Sequence, residues 1–421
     1  MFSSRSLLTA LGLASAMLGC RAPAPSPALG GKGPAGSLDA TPQPTQVLKM
    51  EGVTFRRTAE GVVAEFRDPA SLFEEGDKLY REKRFKQALA EWDRLLELHP
   101  QSKYRLVTLY NSALALEKVG RPTDAIERYR KVMQESPRTR DAIDAAFRTG
   151  ECLAKLTRWR DVTDLFTPLL LRDDLKPSDA FEARVRKGVA HVELAEDSEA
   201  ERTLLRAARY HDEAARTEAV YDPAMLAQAY HYLGEVARRR MEAAPLRLPQ
   251  AQIELDLNQK GHLLLAAQAR YLRAIRTADA EWAPAAGHQL GLLYERFHAH
   301  IMATPVPQEL SADERVVYQD ELRKKLSPLI RKAVAIYQRS LSLASRLGAQ
   351  SPWAARTRER METLQRLLQL VSSGPSRGQL ATERTETPAP VGPSPAKPSK
   401  EESAPKPNAA PPSTPESKPR I

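Results

Sequence analysis

Residues 76–100 read GDKLYREKRFKQALAEWDRLLELHP, and residues 113–137 read ALALEKVGRPTDAIERYRKVMQESP. Each stretch opens on a small residue, Gly76 or Ala113. Each then places alanine twelve positions on (Ala88, Ala125), a large aromatic four further (Trp92, Tyr129) and proline eight beyond that (Pro100, Pro137). The register continues as Gly150, Val162 and Phe166, and again as Gly188, Ala200 and Leu204, a period of 37 or 38 residues. Apolar residues between these marks recur at helical spacing. One period therefore holds two helices and the turns around them. Small residues at Gly76 and Ala88 let the two helices approach closely, the ring of Trp92 or Tyr129 fills the space between them, and proline ends the second helix.

This pattern resembles the tetratricopeptide repeat, strongly in the first two units and less so in the third, where Asp174 replaces the closing proline, and in the fourth. The resemblance implies an all-α solenoid of helix hairpins that bury one another's apolar faces and stack into a right-handed superhelix. Two later units look related but enlarged. One carries Leu233-Gly234 on its first helix and Ala267, Tyr271 and Ala274 on its second; the other carries Leu290-Gly291 and Tyr294, then Ala333 and Tyr337. Each holds a proline-bearing insertion, near 243–262 and near 303–318, read as long helices with an extended corner. An amphipathic helix from Trp353 to about Leu370 is expected to cap the last unit. The expected architecture is thus about six helix pairs plus a capping helix over 70–372. Before it, Val53–Phe55 and Val62–Phe66 flank Glu60-Gly61 and alternate as a short β-hairpin does, within 46–69.

Of the 32 prolines, six lie between Arg21 and Thr45 and twelve between Gly374 and the C-terminus. Such flanks bury too little apolar surface to offset chain entropy, so 20–45 is expected to be a linker and 373–421 a disordered tail. The start has one early charge, Arg5, then an apolar run from Leu7 to Leu18, short for a membrane span. It ends in Met17-Leu18-Gly19-Cys20, which resembles the bacterial lipobox, although Met17 and Leu18 depart from the usual Leu and Ala or Ser. The resemblance implies a signal peptide over 1–19, acylation of Cys20 and, with Arg21 rather than Asp following, an outer-membrane anchor facing the periplasm. Cys152 is the other cysteine, read as a small buried hydrophobe.

The formal net charge of +10 points to acidic partners, but lysine and arginine are scattered among acids, as in Arg128-Tyr129-Arg130-Lys131 after Asp124 and Glu127. A concentrated basic stripe with aromatics is missing, which argues against nucleic acid. The His298-x-His300 pair has the wrong spacing for helical metal ligands, and neither a glycine-rich phosphate loop nor a nucleophile elbow occurs. A non-enzymatic scaffold without cofactor follows, binding protein partners in an envelope complex; a peptidoglycan-associated factor or cell-wall enzyme accessory is the competing class.

In the repeat family, the fifth position of each first helix faces the ligand groove. Here it falls on Phe73, Tyr110, Phe147, Val185, His231 and His288, five of them rings. Rings in register suit an extended or helical peptide, or else they pack between repeats as core. Cationic candidates for the same groove are Arg148, Arg186 and Arg238. Where the family's chaperone-tail binders use Asn, this chain has Asp77, Leu114, Glu151, Val189, Glu235 and Leu292, so binding of a chaperone C-terminus is not expected.

Overall fold

The computed structural model describes residues 53–58, 61–217, 222–306, 310–348 and 351–373. Cys20, the leader, the linker and the tail lie outside the described residues. Strands β1 (Val53–Thr58) and β2 (Gly61–Phe66) pair antiparallel, from Val53 opposite Phe66 to Thr58 opposite Gly61. Beyond the hairpin, Arg67 is tied to the second helix of the body: its Nη1 donates to Glu91 at 2.7 Å, and its carbonyl lies 3.1 Å from His99 Nε2.

The body is the expected all-α, tetratricopeptide-like solenoid. Its helix pairs are α1 (Pro69–Arg81) with α2 (Phe85–Leu98), α3 (Arg105–Lys118) with α4 (Pro122–Glu135) and α5 (Arg140–Lys155) with α6 (Trp159–Leu169). They continue as α7 (Pro177–Glu193) with α8 (Asp197–Thr217), α9 (Pro223–Ala243) with α10 (Gln250–Arg276) and α11 (Trp282–Met302) with α12 (Ala312–Arg346). Helix α13 (Pro352–Ser373) packs on α11 and α12 and closes the last pair.

Local chemistry sets the ends. Asp68, Thr139 and Asp222 cap α1, α5 and α9, each side chain accepting a backbone N–H three residues on, and Ser311 with Glu314 forms a capping box on α12. Prolines start α1, α4, α7 and α9, where the missing N–H costs nothing. The turn inside each of the first four pairs uses one left-handed residue: Lys83 (φ 62°), Gly120 (79°), Thr157 (55°) and Ala195 (57°).

Each first-helix small residue lies under the large side chain of its partner helix. A Cβ added to Gly150 would sit 2.7 Å from the Phe166 ring, and one at Gly188 would sit 2.5 Å from Leu204. Gly76 meets Trp92, Gly234 meets Tyr271 and Gly291 meets Tyr337 just as tightly. Burial of these rings leaves no polar handle idle. Tyr129 donates to Glu117 (2.7 Å), Tyr271 to Glu235 (2.6 Å), Tyr337 to Glu295 and Trp92 Nε1 to the Phe73 carbonyl (3.4 Å).

The enlarged fifth and sixth units have the long helices expected of them. From the small first-helix residue to the large side chain over it is 37 residues in unit five and 46 in unit six, against 16 in the first four. The added residues lengthen α9 to α12, α12 reaching 35 residues, and Pro245, Pro249 and Pro305 lie at the connections while Pro328 sits inside α12. The tip of the fifth hairpin is held by Asp256, which accepts from Arg247 N (3.0 Å), Nε (2.9 Å) and Nη2 (2.7 Å).

Candidate protein-binding face

The odd helices touch in series, α3 with α5, α5 with α7, α7 with α9, α9 with α11 and α11 with α13. No two even helices make a comparable contact among the described residues. The odd helices thus form a continuous layer, and the residues on it decide what it offers.

The rings at the fifth position are buried. Phe73, Tyr110, Phe147, His231 and His288 are 4–7% exposed, and Val185 is fully buried. Tyr110, Phe147, His231 and His288 pack on the ring of their own second helix, at centroid distances of 5.5 Å to Tyr129, 5.6 Å to Phe166, 6.0 Å to Tyr271 and 5.8 Å to Tyr337. Phe73 instead stacks on Tyr104 at 5.1 Å. His231 and His288 also touch the next odd helix, at Trp282 (5.2 Å) and Trp353 (5.3 Å). These side chains join hairpin to hairpin. Burial lowers the pKa of both imidazoles, that of His288 to about 4 with Arg356 and Arg360 adding to the effect, so both are neutral near pH 7.

The three arginines are already engaged. Arg148 pairs with Glu117 (2.8 Å) on α3 and with Glu151 (3.0 Å) on its own helix. Glu151 passes the link on to Arg186 of α7 (3.0 Å), which also holds Glu182 (2.7 Å). The result is an alternating chain, Glu117–Arg148–Glu151–Arg186–Glu182, across three odd helices. Arg238 joins Glu235 (2.6 Å) and Glu242 (2.5 Å), Arg296 of α11 reaches Glu242 (2.9 Å), and Arg360 of α13 reaches Glu295. Burial works against the charge on Arg148 and Arg238, and Glu151, Glu117 and Glu235 outweigh it, raising both pKa values. The chain from Glu117 to Glu182, and Arg238 between Glu235 and Glu242, leave little net positive charge to attract a ligand; they fix how neighbouring hairpins sit.

Exposed charge on this layer comes from a position the sequence reading passed over, five residues after each close-packed Gly or Ala. It holds Arg81, Lys118, Lys155, Glu193, Arg239 and Arg296, five cations in six units. Arg81, Lys155 and Arg296 keep 44–60% of their side-chain surface in solvent. Three of the row lean toward the preceding odd helix, Lys155 to Glu117 (3.7 Å), Arg296 to Glu242 and Arg239 to the Val192 carbonyl (2.7 Å), while Arg81 pairs with Asp77 on its own helix. The repeat register itself carried this signal, since counting from Gly76 finds every member.

Cys152 is fully buried, and burial, with Glu117 adding, pushes its thiol up to about 12, which leaves it unreactive. Among the described residues no group of three or more His, Cys, Asp or Glu side chains is placed to hold a metal ion, and no helix is long and apolar enough to cross a membrane.

No family model matches the chain, and no curated protein matches it. Among solved structures it is similar to MamA (41-end) from Desulfovibrio magneticus RS-1, with 15% identity and a TM-score of 0.32 over 49% of this chain and 98% of that one. It is also similar to a tetratricopeptide repeat protein from Parabacteroides merdae ATCC 43184, with 11% identity and a TM-score of 0.35 over 70% and 98%. PilF of Pseudomonas aeruginosa matches with 17% identity and a TM-score of 0.30 over 55% and 95%. At these levels the similarity carries no argument about what the chain binds.

Proposed function

We propose that the protein is a scaffold which holds other proteins on its odd-helix layer, tethered by a lipid on Cys20 to the periplasmic side of the outer membrane. The observation that carries the binding half is the odd-helix layer from α3 to α13 with its register of cations at Lys118, Lys155, Arg239 and Arg296, preceded by Arg81 on α1. Beneath it, ring stacks and ion pairs hold each hairpin to the next, so the row is presented on a rigid support and a partner finds it preorganised. Cations at one register position of successive units suit an extended segment with acidic side chains at similar spacing. The anchor half rests on Met17-Leu18-Gly19-Cys20 and the proline-rich linker after it. A scaffold of this kind needs no cofactor and no catalytic residue.

The buried rings are poor places to test the face, because truncating Tyr110 or Phe147 would cost stability first. Lys118→Gln with Lys155→Gln removes two exposed cations and leaves the ring core, and the Glu117–Arg148 pair, in place. Crosslinking of the full chain in envelope extract, followed by mass spectrometry, should recover a defined set of proteins that this double variant loses. An identical set from the folded variant would reject the face as the binding surface. For the anchor, a mature N-terminus at any residue other than an acylated Cys20 would remove the membrane half of the reading and leave the other half standing.

A further inference from the structure

Clefts open between successive even helices, floored by the odd helix between them. The cleft between α4 and α6 has a volume of about 620 Å³ and an apolar lining that includes Met133, Ala142, Ala146, Leu165 and Leu169. The cleft between α8 and α10, about 320 Å³, is lined by His211, Leu226, Tyr230, Arg273, Arg276 and Thr277, with Pro223 at its edge. The repeat register makes the two equivalent. Leu226 and Tyr230 stand eight and four residues before Gly234, as Ala142 and Ala146 stand before Gly150. Arg276 lies five after Tyr271, as Leu171 lies five after Phe166. The first cleft also has Arg138, Arg172, Asp173 and Asp174 at it, with Arg172 paired to Asp174 (2.6 Å), so its charge is balanced where the second cleft carries arginines alone.

Two independent features mark the second cleft. Arg273 and Arg276 have no carboxylate within ion-pair distance among the described residues; Arg273 Nη1 donates to the Tyr230 hydroxyl (3.0 Å), and its guanidinium lies 5.3 Å from that ring. From Leu257 to Ala278 the chain contains no Asp or Glu. Cations in a last helical turn answer the helix dipole, and that alone would place them there. It does not account for His211, which is 7% exposed at the same cleft with neither ring nitrogen hydrogen-bonded. The Asp212 carboxylate lies 3.6 Å from its Nδ1, too far for a hydrogen bond. A buried imidazole with both nitrogens unused is a polar group waiting for a partner.

We infer that this cleft receives a carboxylate side chain from an acidic segment of a partner protein. Arg273 and Arg276 pair with the carboxylate, His211 and the Tyr230 hydroxyl hydrogen supply further donors, and the aliphatic stem lies on Leu226 and Pro223. The inference rests on the protein-binding reading above but occupies a different surface, between even helices, so the two can fail separately.

Fluorescence anisotropy of labelled hexaglutamate, titrated with the full chain in mild detergent at low ionic strength, tests it, with labelled hexaglutamine as control. Hexaglutamate should bind and hexaglutamine should not. Arg273→Gln with Arg276→Gln should weaken binding about tenfold or more, since both charged hydrogen-bond donors are lost. His211→Phe, which keeps a ring against Phe181, should weaken it too, and Lys118→Gln with Lys155→Gln on the odd-helix layer should not. Undiminished binding in the arginine double variant overturns the assignment. So does an equal loss in the lysine double variant, which would mean net charge alone, or displacement of the peptide by inorganic phosphate at matched concentration, which would mean an unspecific anion site. An unchanged set of crosslinked partners in the lysine double variant, with hexaglutamate binding lost in the arginine double variant, would leave this cleft standing and remove the odd-helix face instead.

Discussion

Gly234 has no room for a methyl group, because the Tyr271 ring lies across it and is itself locked by its hydrogen bond to the buried Glu235. Gly234→Ala should therefore destabilise the fold by about 1–3 kcal/mol, the usual cost of forcing volume into a packed core; a urea midpoint within error of the parent would contradict that packing. Ala195 is the opposite case. It is exposed, holds φ at 57°, and makes the left-handed turn that Gly120 makes without strain. Ala195→Gly should stabilise by about 0.5–1 kcal/mol, the relief of left-handed strain less glycine's added chain entropy, and a lower midpoint would show that the alanine methyl is doing unrecognised packing. His288 brings in pH. Its pKa falls from 6.5 in the open chain to about 4 in the fold, where burial disfavours the charged form. Above pH 6.5 neither state binds the proton and the fold loses nothing. Between 6.5 and about 4 the unfolded chain takes the proton first, so stability falls with pH, by on the order of 2–3 kcal/mol in all. The difference in unfolding free energy between pH 7 and pH 4.5 should shrink in His288→Gln, and an unchanged difference would place the acid sensitivity elsewhere.

Between helices, apolar packing and ion pairing divide the work. The apolar core falls into two clusters, one spanning α1 to α6 and one from α7 onward, and α7 contributes to both, Ala183 and Ala190 to the first, Val185 and Val189 to the second. Across that seam runs the chain Glu117–Arg148–Glu151–Arg186–Glu182. Removing Arg148 takes the closest cation from Glu117, leaving it Lys155 and the Tyr129 hydroxyl, and one of two from Glu151, leaving it Arg186; both carboxylates are 4–5% exposed. Arg148→Ala should cost about 1.5–3 kcal/mol, the loss of charged hydrogen bonds to two buried carboxylates, and much less when Glu117→Gln and Glu151→Gln are present as well; an additive triple variant would mean that the three do not act as a unit. The division explains what the sequence disclosed. Gly76 and Trp92 are sixteen residues apart on one hairpin, and a local register exposes such pairs, so the helix pairs, the close contacts and the cap were readable. Arg148 and Arg186 looked like groove cations because their partners lie 31 and 35 residues away, on the neighbouring hairpin, where no local pattern reaches. The same distance conceals depth: the fifth-position rings sit on the layer the repeat implies, but the next hairpin covers them, and only the three-dimensional stack shows it. Proline near 245 and 305 marked breaks correctly, yet the residues after each break extend α10 and α12, because nothing in a proline says how far the helix beyond it will run.

Over the whole body, each hairpin is supported by its neighbours, and the last has only α13 to cover it. That helix brings Trp353 against His288, places Thr357 Oγ1 3.0 Å from His288 Nδ1, sends Arg360 to Glu295 beneath Tyr337, and buries Leu364. In a stack held by nearest-neighbour contacts, losing the end unit weakens the adjacent unit most and distant units hardly at all. A chain ending at residue 350 should therefore lose amide protection in α11 and α12, where Glu295 has lost its arginine and His288 its ring partner and its hydroxyl. Protection in α1 to α6, whose core cluster contains nothing from α9 onward, should hold. Hydrogen exchange read helix by helix distinguishes this from a single cooperative core. If α1 to α6 lose protection as much as α11 and α12 do, stability is shared through the whole stack, and a partner bound at one hairpin would be felt energetically at all of them; a graded loss that fades toward α7 makes each unit's surface an independent place to bind.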